Sequence, residues 1–306
     1  MSAPTPALVH SLRERIGRVG VWLGPLGTLP AQEERAAVAT IERHGYGAAW
    51  FGEGPVNREA LSHAALLLQA SERIIIATGI ASIWARDATA AINGANTLNE
   101  AYGERFLLGL GVSHAPAVSS RGHDYAKPLT AMRTYLDAID AGTYSAPAAA
   151  DPSPVVIAAL GPKMLELARE RTAGAHPYFV PPEHTARARA ILGPDRLLAP
   201  EQVVVLEADP ARAREIGRRH MALYLKLPNY VNNLRTLGYT DEDVRDGGSD
   251  RLVDAIVAWG DAGKIAERVR EHLASGADHV AVQAYAGTGR EALANLEVLA
   301  PALLAL

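Results

Sequence analysis

A (β/α)8 barrel is the fold class this sequence predicts, on three observations. Short apolar segments, rich in β-branched residues, alternate with helical segments from end to end, the pattern of parallel strands joined by crossover helices. The chain has 306 residues, 48% of them hydrophobic, which is enough for one large core and within the size of a barrel with insertions. No Gly-x-Gly-x-x-Gly turn follows the first strand, which leaves the open doubly wound sheet as runner-up. Residues 1–306 read as one domain without internal repeats, since the linker Ala146–Pro154 is too short to separate domains.

Arg18–Leu23 reads as the first strand. Gly24–Pro30 is a loop with Thr28 as a candidate helix cap. Ala31–His44 is a helix ended by Gly45, because glycine adopts the left-handed conformation of a helix terminus without a Cβ clash. Ala48–Phe51 is the second strand and Arg58–Gln69 a helix. Arg73–Ile80 is β-branched and apolar, a third strand; Asp87 caps a helix that runs to Ala101. The uncharged run from Phe106 to Val112 fits a fourth strand buried on both faces. After the irregular loop Ser113–Lys127 come the helix Pro128–Ala141 and the fifth strand Val155–Leu160. Gly161-Pro162-Lys163 opens the helix Met164–Arg171. Pro177–Val180 is expected as a weak sixth strand, Pro182–Leu192 as a helix and Gln202–Leu206 as the seventh strand. The helix Pro210–Leu225 leads to an aromatic and polar insertion, Leu227–Asp250, so that helical material is inserted after strand seven. Helices near Leu252–Trp259 and Ala262–Ala274, the eighth strand His279–Gln283 and the helix Arg290–Leu304 complete the chain.

Composition narrows the function. The net charge of −4, without a basic cluster interleaved with aromatics, gives no electrostatic case for nucleic acid. With no cysteine, disulfides, thiolate metal sites and a cysteine nucleophile are excluded. Met1–Ile16 is amphipathic and charged and lacks the apolar centre of a signal peptide, and no run reaches the length of a membrane span. A cytoplasmic protein is the expectation. The histidines show no metal-ligand spacing, so no metal is expected.

In a barrel the chemistry sits where loops leave the carboxyl ends of the strands. The residues there are Trp22, Glu53, Thr78, Gly79, Ser82, Arg86, Ser113, His114, Gly161, Lys163, His176, Gln283 and Gly287. Glycines within Phe106–Gly111 remove side chains near a strand end, which admits a flat ligand or merely relieves crowding. Gly161-Pro162-Lys163 joins a helix start to a cation, an arrangement suited to an anion; Gly287-Thr288-Gly289 is a rival. Glu53, between two glycines, is a candidate proton or hydrogen-bond acceptor, and His114 a candidate acid or base because imidazole titrates near neutral pH.

Several segments resemble the luciferase-like monooxygenase superfamily, and within it the actinobacterial branch that uses the deazaflavin coenzyme F420. They are Ala49-Trp50-Phe51-Gly52-Glu53, Ala77–Asp87, Gly103–His114, Ala159–Leu165, Pro181–Thr185, Leu227-Pro228-Asn229-Tyr230 and Gly276–Val280. The resemblance implies a barrel with a flavin-like ring at its mouth and a bulge at a non-proline cis peptide in the third strand, matched by Thr78-Gly79-Ile80. It implies a cofactor phosphate on backbone at Gly111-Val112-Ser113 and at Leu160-Gly161-Pro162 with Lys163, which decides against Gly287.

The implied activity is hydride transfer between deazaflavin and a small organic substrate. His114 is the expected proton carrier and Glu53 the group that orients cofactor or substrate; Trp22, Trp84 and Tyr230 are the expected pocket walls under a lid formed by Leu227–Asp250. An FMN-dependent monooxygenase served by a separate reductase, and a non-catalytic cofactor-binding protein, are the alternatives. A phosphosugar isomerase or aldolase barrel ranks below them, for want of a lysine at a strand end. Deazaflavin sugar-phosphate dehydrogenases carry an acidic-histidine pair where this chain has Glu53-Gly54, and an acidic residue where it has His114; Ala-Asp-Gly is replaced by Gly174-Ala175-His176. Those departures argue against a sugar phosphate. The family's frequent dimer is carried over as an expectation.

Overall fold

The computed structural model describes residues 4–306; Met1–Ala3, the start of the amino-terminal segment, lie outside the described residues. The barrel wall is built from β1 Val19–Trp22, β2 Ala48–Phe51, β3 Ile75–Thr78, β4 Phe106–Gly111, β5 Val155–Ile157, β6 Gly174–Ala175, β7 Glu201–Val205 and β8 Val280–Ala284. Neighbours pair in parallel from β1 through β6, and β8 pairs with both β7 and β1. The ring closes through the chain segment ahead of β7. Leu197–Leu198 pairs with β6, Ala199 N–H donates to Ala175 O at 3.0 Å, and Ala281 N–H on the other side donates to Pro200 O at 2.9 Å.

Alternation along each strand makes two cores. Outward residues such as Val21, Ile76, Leu108, Val204 and Val282 pack with helical Val38, Ile41, Leu67, Leu136 and Leu299. Inward residues Ala48, Trp50, Ile75, Ala77, Leu107, Val156 and Ala281 fill the barrel. The amino-terminal helix Pro6–Ile16, capped by Thr5, seals it with Val9, Leu12 and Ile16, which recur at the helical spacing of one face.

The structure shifts several expected elements. The sixth strand is Gly174–Ala175 rather than Pro177–Val180. Pro177 and Pro181 have no N–H to give a ladder, whereas Gly174 lets backbones meet: a Cβ there would lie 2.0 Å from Leu197 O. The helix expected over Leu252–Trp259 stops at Ile256, and Ala258–Trp259 pairs with β7. The third strand is divided. Pairing along Ile75–Thr78 ends at a cis Gly79–Ile80 peptide, and Ala81–Ser82 then pairs with β4. The fifth strand stops at Ile157. Thr28 does not cap the following helix; its hydroxyl donates to Pro25 O at 2.8 Å within a short 3-10 turn, and Pro30 holds the N-cap. Helices Pro210–Tyr224, Pro228–Thr236 and Asp250–Ile256 form the insertion after β7.

At Gly109 a Cβ would lie 1.8 Å from Thr78 O, whereas at Gly161 it would meet nothing within 4 Å. Gly109→Ala should therefore separate β3 from β4 and lower stability by about 3 kcal/mol or more. Gly161→Ala should stay within about 0.5 kcal/mol of wild type. Thermal unfolding of the two variants checks the contrast.

Candidate cofactor and substrate site

Because the strands are parallel, the turns after β3, β4 and β5 open on one end of the barrel. Gly79–Ile80, Gly111–Ser113 and Leu160–Lys163 are consecutive around its rim. Ala158 N–H donates to Leu110 O at 2.9 Å, which holds the second and third of these side by side.

Gly79 makes a tightly backed ledge: a Cβ there would lie 2.7 Å from His176 Nε2 and 2.8 Å from Trp22 Nε1, so these rings fill the space a side chain would take. Those two nitrogens are buried and have no partner among the described residues. His176 Nδ1 donates to Ala199 O at 2.6 Å, which makes Nε2 the bare acceptor, and burial pushes this imidazole down to about 4. Gly111 is backed in the same way by the Ile80 side chain: a Cβ on it would lie 2.3 Å from Ile80 Cγ1. Thr78 is different. Its buried hydroxyl donates to Gly109 O at 2.7 Å and accepts from Gly109 N–H at 2.8 Å, so its side chain is engaged within the wall.

Glu53 braces the ledge from behind. Its N–H donates to Ile80 O at 3.0 Å, and its carboxylate accepts from Ser82 N–H at 2.8 Å and Arg86 Nη1 at 3.0 Å. Arg86 Nη2 makes a second, short contact to the same carboxylate and reaches Glu59 at 2.7 Å. The Glu53 side chain is 2% exposed and Arg86 9%. Both carboxylate oxygens are thus occupied, which suits a brace better than a proton carrier.

Ser113 adopts a left-handed φ of 57°, turning the chain outward after β4. Val112 O accepts from Trp84 Nε1 at 2.9 Å, so half-buried Trp84 supports this turn from beneath. Gly161 is the N-cap of the helix Pro162–Arg171 and, like Pro162 and Lys163, is exposed. Its turn is fixed by His184 Nε2 against Leu160 O at 2.8 Å. The rival turn at Gly287 is committed to its own helix, where Thr288 and Glu291 form a reciprocal capping box.

Across the mouth, His114 lies half-buried with its ring 5.4 Å from that of Tyr230. Burial lowers its pKa, and a hydrogen bond to the Asn229 side chain opposes that shift. Tyr230 is buried within an aromatic cluster, 5.4 Å from Phe179 and from Tyr224. Tyr178 stands 5.4 Å from Trp22, and its hydroxyl lies 2.8 Å from that of Tyr224 and 2.9 Å from Gln283 Oε1.

Sequence reasoning brought His114, Trp22, Tyr230 and Gln283 to this mouth and missed Tyr178, Phe179 and Tyr224. The first two lay in the expected sixth strand, and their signal was the flanking prolines. Glu201 was missed as well, although Leu197, Ala199, Glu201, Val203 and Val205 alternate onto one face, whose first two members belong to the barrel interior.

The fold and this rim define the class. The chain belongs to the luciferase-like monooxygenase family, whose sequence pattern matches residues 17–279. It is 26% identical, over 87% of its length and 95% of the relative's, to a Mycobacterium tuberculosis protein that carries the name coenzyme F420-dependent oxidoreductase. It is 30% identical to the 5,10-methylenetetrahydromethanopterin reductase of Methanolobus tindarius, over 44% of this chain and 46% of that one, so it spans under half the length of that relative. Among solved structures, the coenzyme F420-dependent tetrahydromethanopterin reductase of Methanopyrus kandleri superposes with a TM-score of 0.74 at 17% identity, over 93% of this chain and 98% of that one. The oxygenating constituent of 3,6-diketocamphane monooxygenase from a Pseudomonas putida plasmid, in complex with FMN, superposes with a TM-score of 0.67 at 13% identity, over 94% and 98%.

Glu53→Ala leaves the Arg86 guanidinium without its buried partner and should cost about 3–5 kcal/mol. Thermal unfolding should show this loss without any ligand present, and Glu53→Gln should fall between the two.

Proposed function

We propose that the protein is a coenzyme F420-dependent oxidoreductase that moves a hydride between deazaflavin and a small organic substrate. The observation that carries this reading is the backbone turn at Gly79–Ile80, with the Gly111–Ser113 and Gly161 turns beside it on the same rim. A fused planar ring can lie against backbone at such a turn, and a phosphate fits a helix start with open space around it. The mycobacterial relative, matched over nearly its whole length, favours the deazaflavin.

In this reading Gly79 and Ile80 support the ring, with Thr78 holding that turn against β4. Gly111, Val112 and Ser113 meet the tail on one side, and Leu160, Gly161, Pro162 and Lys163 on the other, through backbone dipoles and the lysine charge. Bound there, the cofactor supplies hydride transfer; the protein supplies position and electrostatics. His114, steadied by Asn229, holds or accepts the proton at the substrate side. Glu53 acts through Arg86 and Ser82 to fix the ledge, and Trp84 fixes the turn at Val112. Trp22, Tyr178 and Tyr230 make the wall aromatic, which suits a planar, largely apolar substrate rather than a sugar phosphate. The same reading takes a small molecule as partner and places the enzyme in the cytoplasm. The FMN-holding structural neighbour favours one second reading, a flavin monooxygenase fed by a reductase.

Titration of the purified protein separates the two. Deazaflavin fluorescence should change with a dissociation constant of about micromolar order. Tight FMN binding with no response to deazaflavin would reject the first reading. His114→Ala should keep cofactor binding and lower turnover by about 100-fold or more. Burial favours the neutral imidazole, so a rate that needs His114 as acceptor should fall only at pH below its ordinary value of 6.5. That acid limb should be absent from the His114→Ala profile.

A further inference from the structure

Glu201 opens β7 on the inward face, below the aromatic mouth, and is 1% exposed. Its backbone N–H donates to Pro177 O at 2.9 Å, and its Oε2 accepts from Phe179 N–H at 3.3 Å. It therefore holds the turn Pro177–Phe179 at both ends. Phe179 sits at a left-handed φ of 60°, a conformation that a bulky aromatic residue rarely adopts without support. Between the two held positions lies Tyr178, whose hydroxyl joins those of Tyr224 and the Gln283 amide. Glu201 Oε1 is buried and has no partner among the described residues.

We propose that Glu201 is a positioning residue: by holding the Phe179 amide it sets the Tyr178 hydroxyl in the Tyr224–Tyr178–Gln283 chain at the substrate mouth. The Tyr178 proton goes to Gln283 Oε1 and its oxygen accepts from Tyr224, so the chain is complete without a ligand. That the mouth takes a substrate rests on the oxidoreductase reading; the positioning role does not.

The groups facing Glu201 are the hydroxyls of Tyr178 on its loop, Tyr224 on the helix Pro210–Tyr224 and Tyr230 on the helix Pro228–Thr236. None of these is a cation. Burial pushes the carboxyl up to about 8, against the opposing pull of the Phe179 amide, so Glu201 is the neutral acid at pH 7. A folded-state pKa above the ordinary 4.5 means that the folded chain holds a proton the unfolded chain has lost. The stability this proton brings is complete below the ordinary value and is lost as pH rises through 8.

Two variants test the proposal on the cofactor-free protein, so a failed oxidoreductase reading leaves the outcome interpretable. Glu201→Gln keeps an acceptor for Phe179 and cannot ionise. Its melting temperature should pull ahead of wild type as pH rises from 5.5 to 8.5, and the relative folding equilibrium should move by up to about tenfold per pH unit. Its near-ultraviolet circular dichroism should match wild type. Glu201→Leu removes the acceptor; it should lose much of the aromatic signal of the Trp22–Tyr178 pair, as Tyr178→Phe should not. Loss of the aromatic signal in Glu201→Gln, which keeps the acceptor, would overturn the proposal. So would a wild-type spectrum from folded Glu201→Leu. Should Glu201→Leu fail to fold, the Glu201→Gln spectrum decides alone.

Discussion

Backbone meets backbone between β3 and β4 because Gly109 has no side chain, and the rim depends on that approach. Thr78 closes the gap from its side with two hydrogen bonds to the same glycine, at 2.7 and 2.8 Å. With the strands locked there, the chain after Thr78 cannot continue in line. It turns at Gly79–Ile80 and resumes pairing at Ala81–Ser82 opposite Leu110–Gly111, with one extra residue on its own side. The ledge is thus set by packing in the wall. A ligand has only to use a surface that the strands already provide, which is how barrels generally separate stability from function.

Two buried carboxylates show how environment divides roles. Glu53 lies beside the Arg86 guanidinium and accepts two backbone amides, so its charge is compensated inside the fold. Glu201 meets one amide and a set of phenols, with no cation among the groups that face it, and burial then favours its neutral form. A charged brace stands behind the ledge and a neutral one beneath the aromatic wall. The two side chains are chemically the same, so their neighbours alone decide the difference.

Most of the helices and seven of the strands were legible because their apolar periodicity is strong and their ends carry glycine or proline; the short helix Ala115–Ser119, inside the segment expected as the loop Ser113–Lys127, was not. The glycine pattern of Phe106–Gly111 likewise pointed to a close approach, though not to its partner, Thr78, thirty-one positions earlier. The sixth strand was misplaced because Ala173-Gly174-Ala175 is too small to show an apolar run, while Tyr178-Phe179-Val180 shows one for a different reason: it faces the mouth. Trp259 was taken into a helix because two residues of strand give no period to read. Glu53 was singled out as a candidate site residue and not as a brace, since Arg86, which meets it, enters the chain only after the Gly79–Ile80 turn. Glu201 fell just outside the expected strand Gln202–Leu206, beside Pro200; only its parity with Leu197 and Val203 points inward.

The histidines sharpen the distinction between site and scaffold. His272 joins Thr185 to Gln202, and His279 joins Gly17 O to the Trp50 indole, so the ring nitrogens of both are engaged. His63 pairs with buried Glu34, and burial pushes His220 down to about 4. His176 has a bare nitrogen close to the ledge, yet it is 1% exposed and stacked on Trp50 at 4.4 Å. A proton on that nitrogen would have no solvent to come from and no anion to rest beside. His114 meets the opposite conditions: it is half-buried, next to Asn229 at the open rim, and close to the turn proposed for the cofactor tail. Proton exchange needs a path to water as well as nearness to the ligand. On that ground the proposed role of proton carrier falls to His114, the less buried of the two, and His176 packs into the floor.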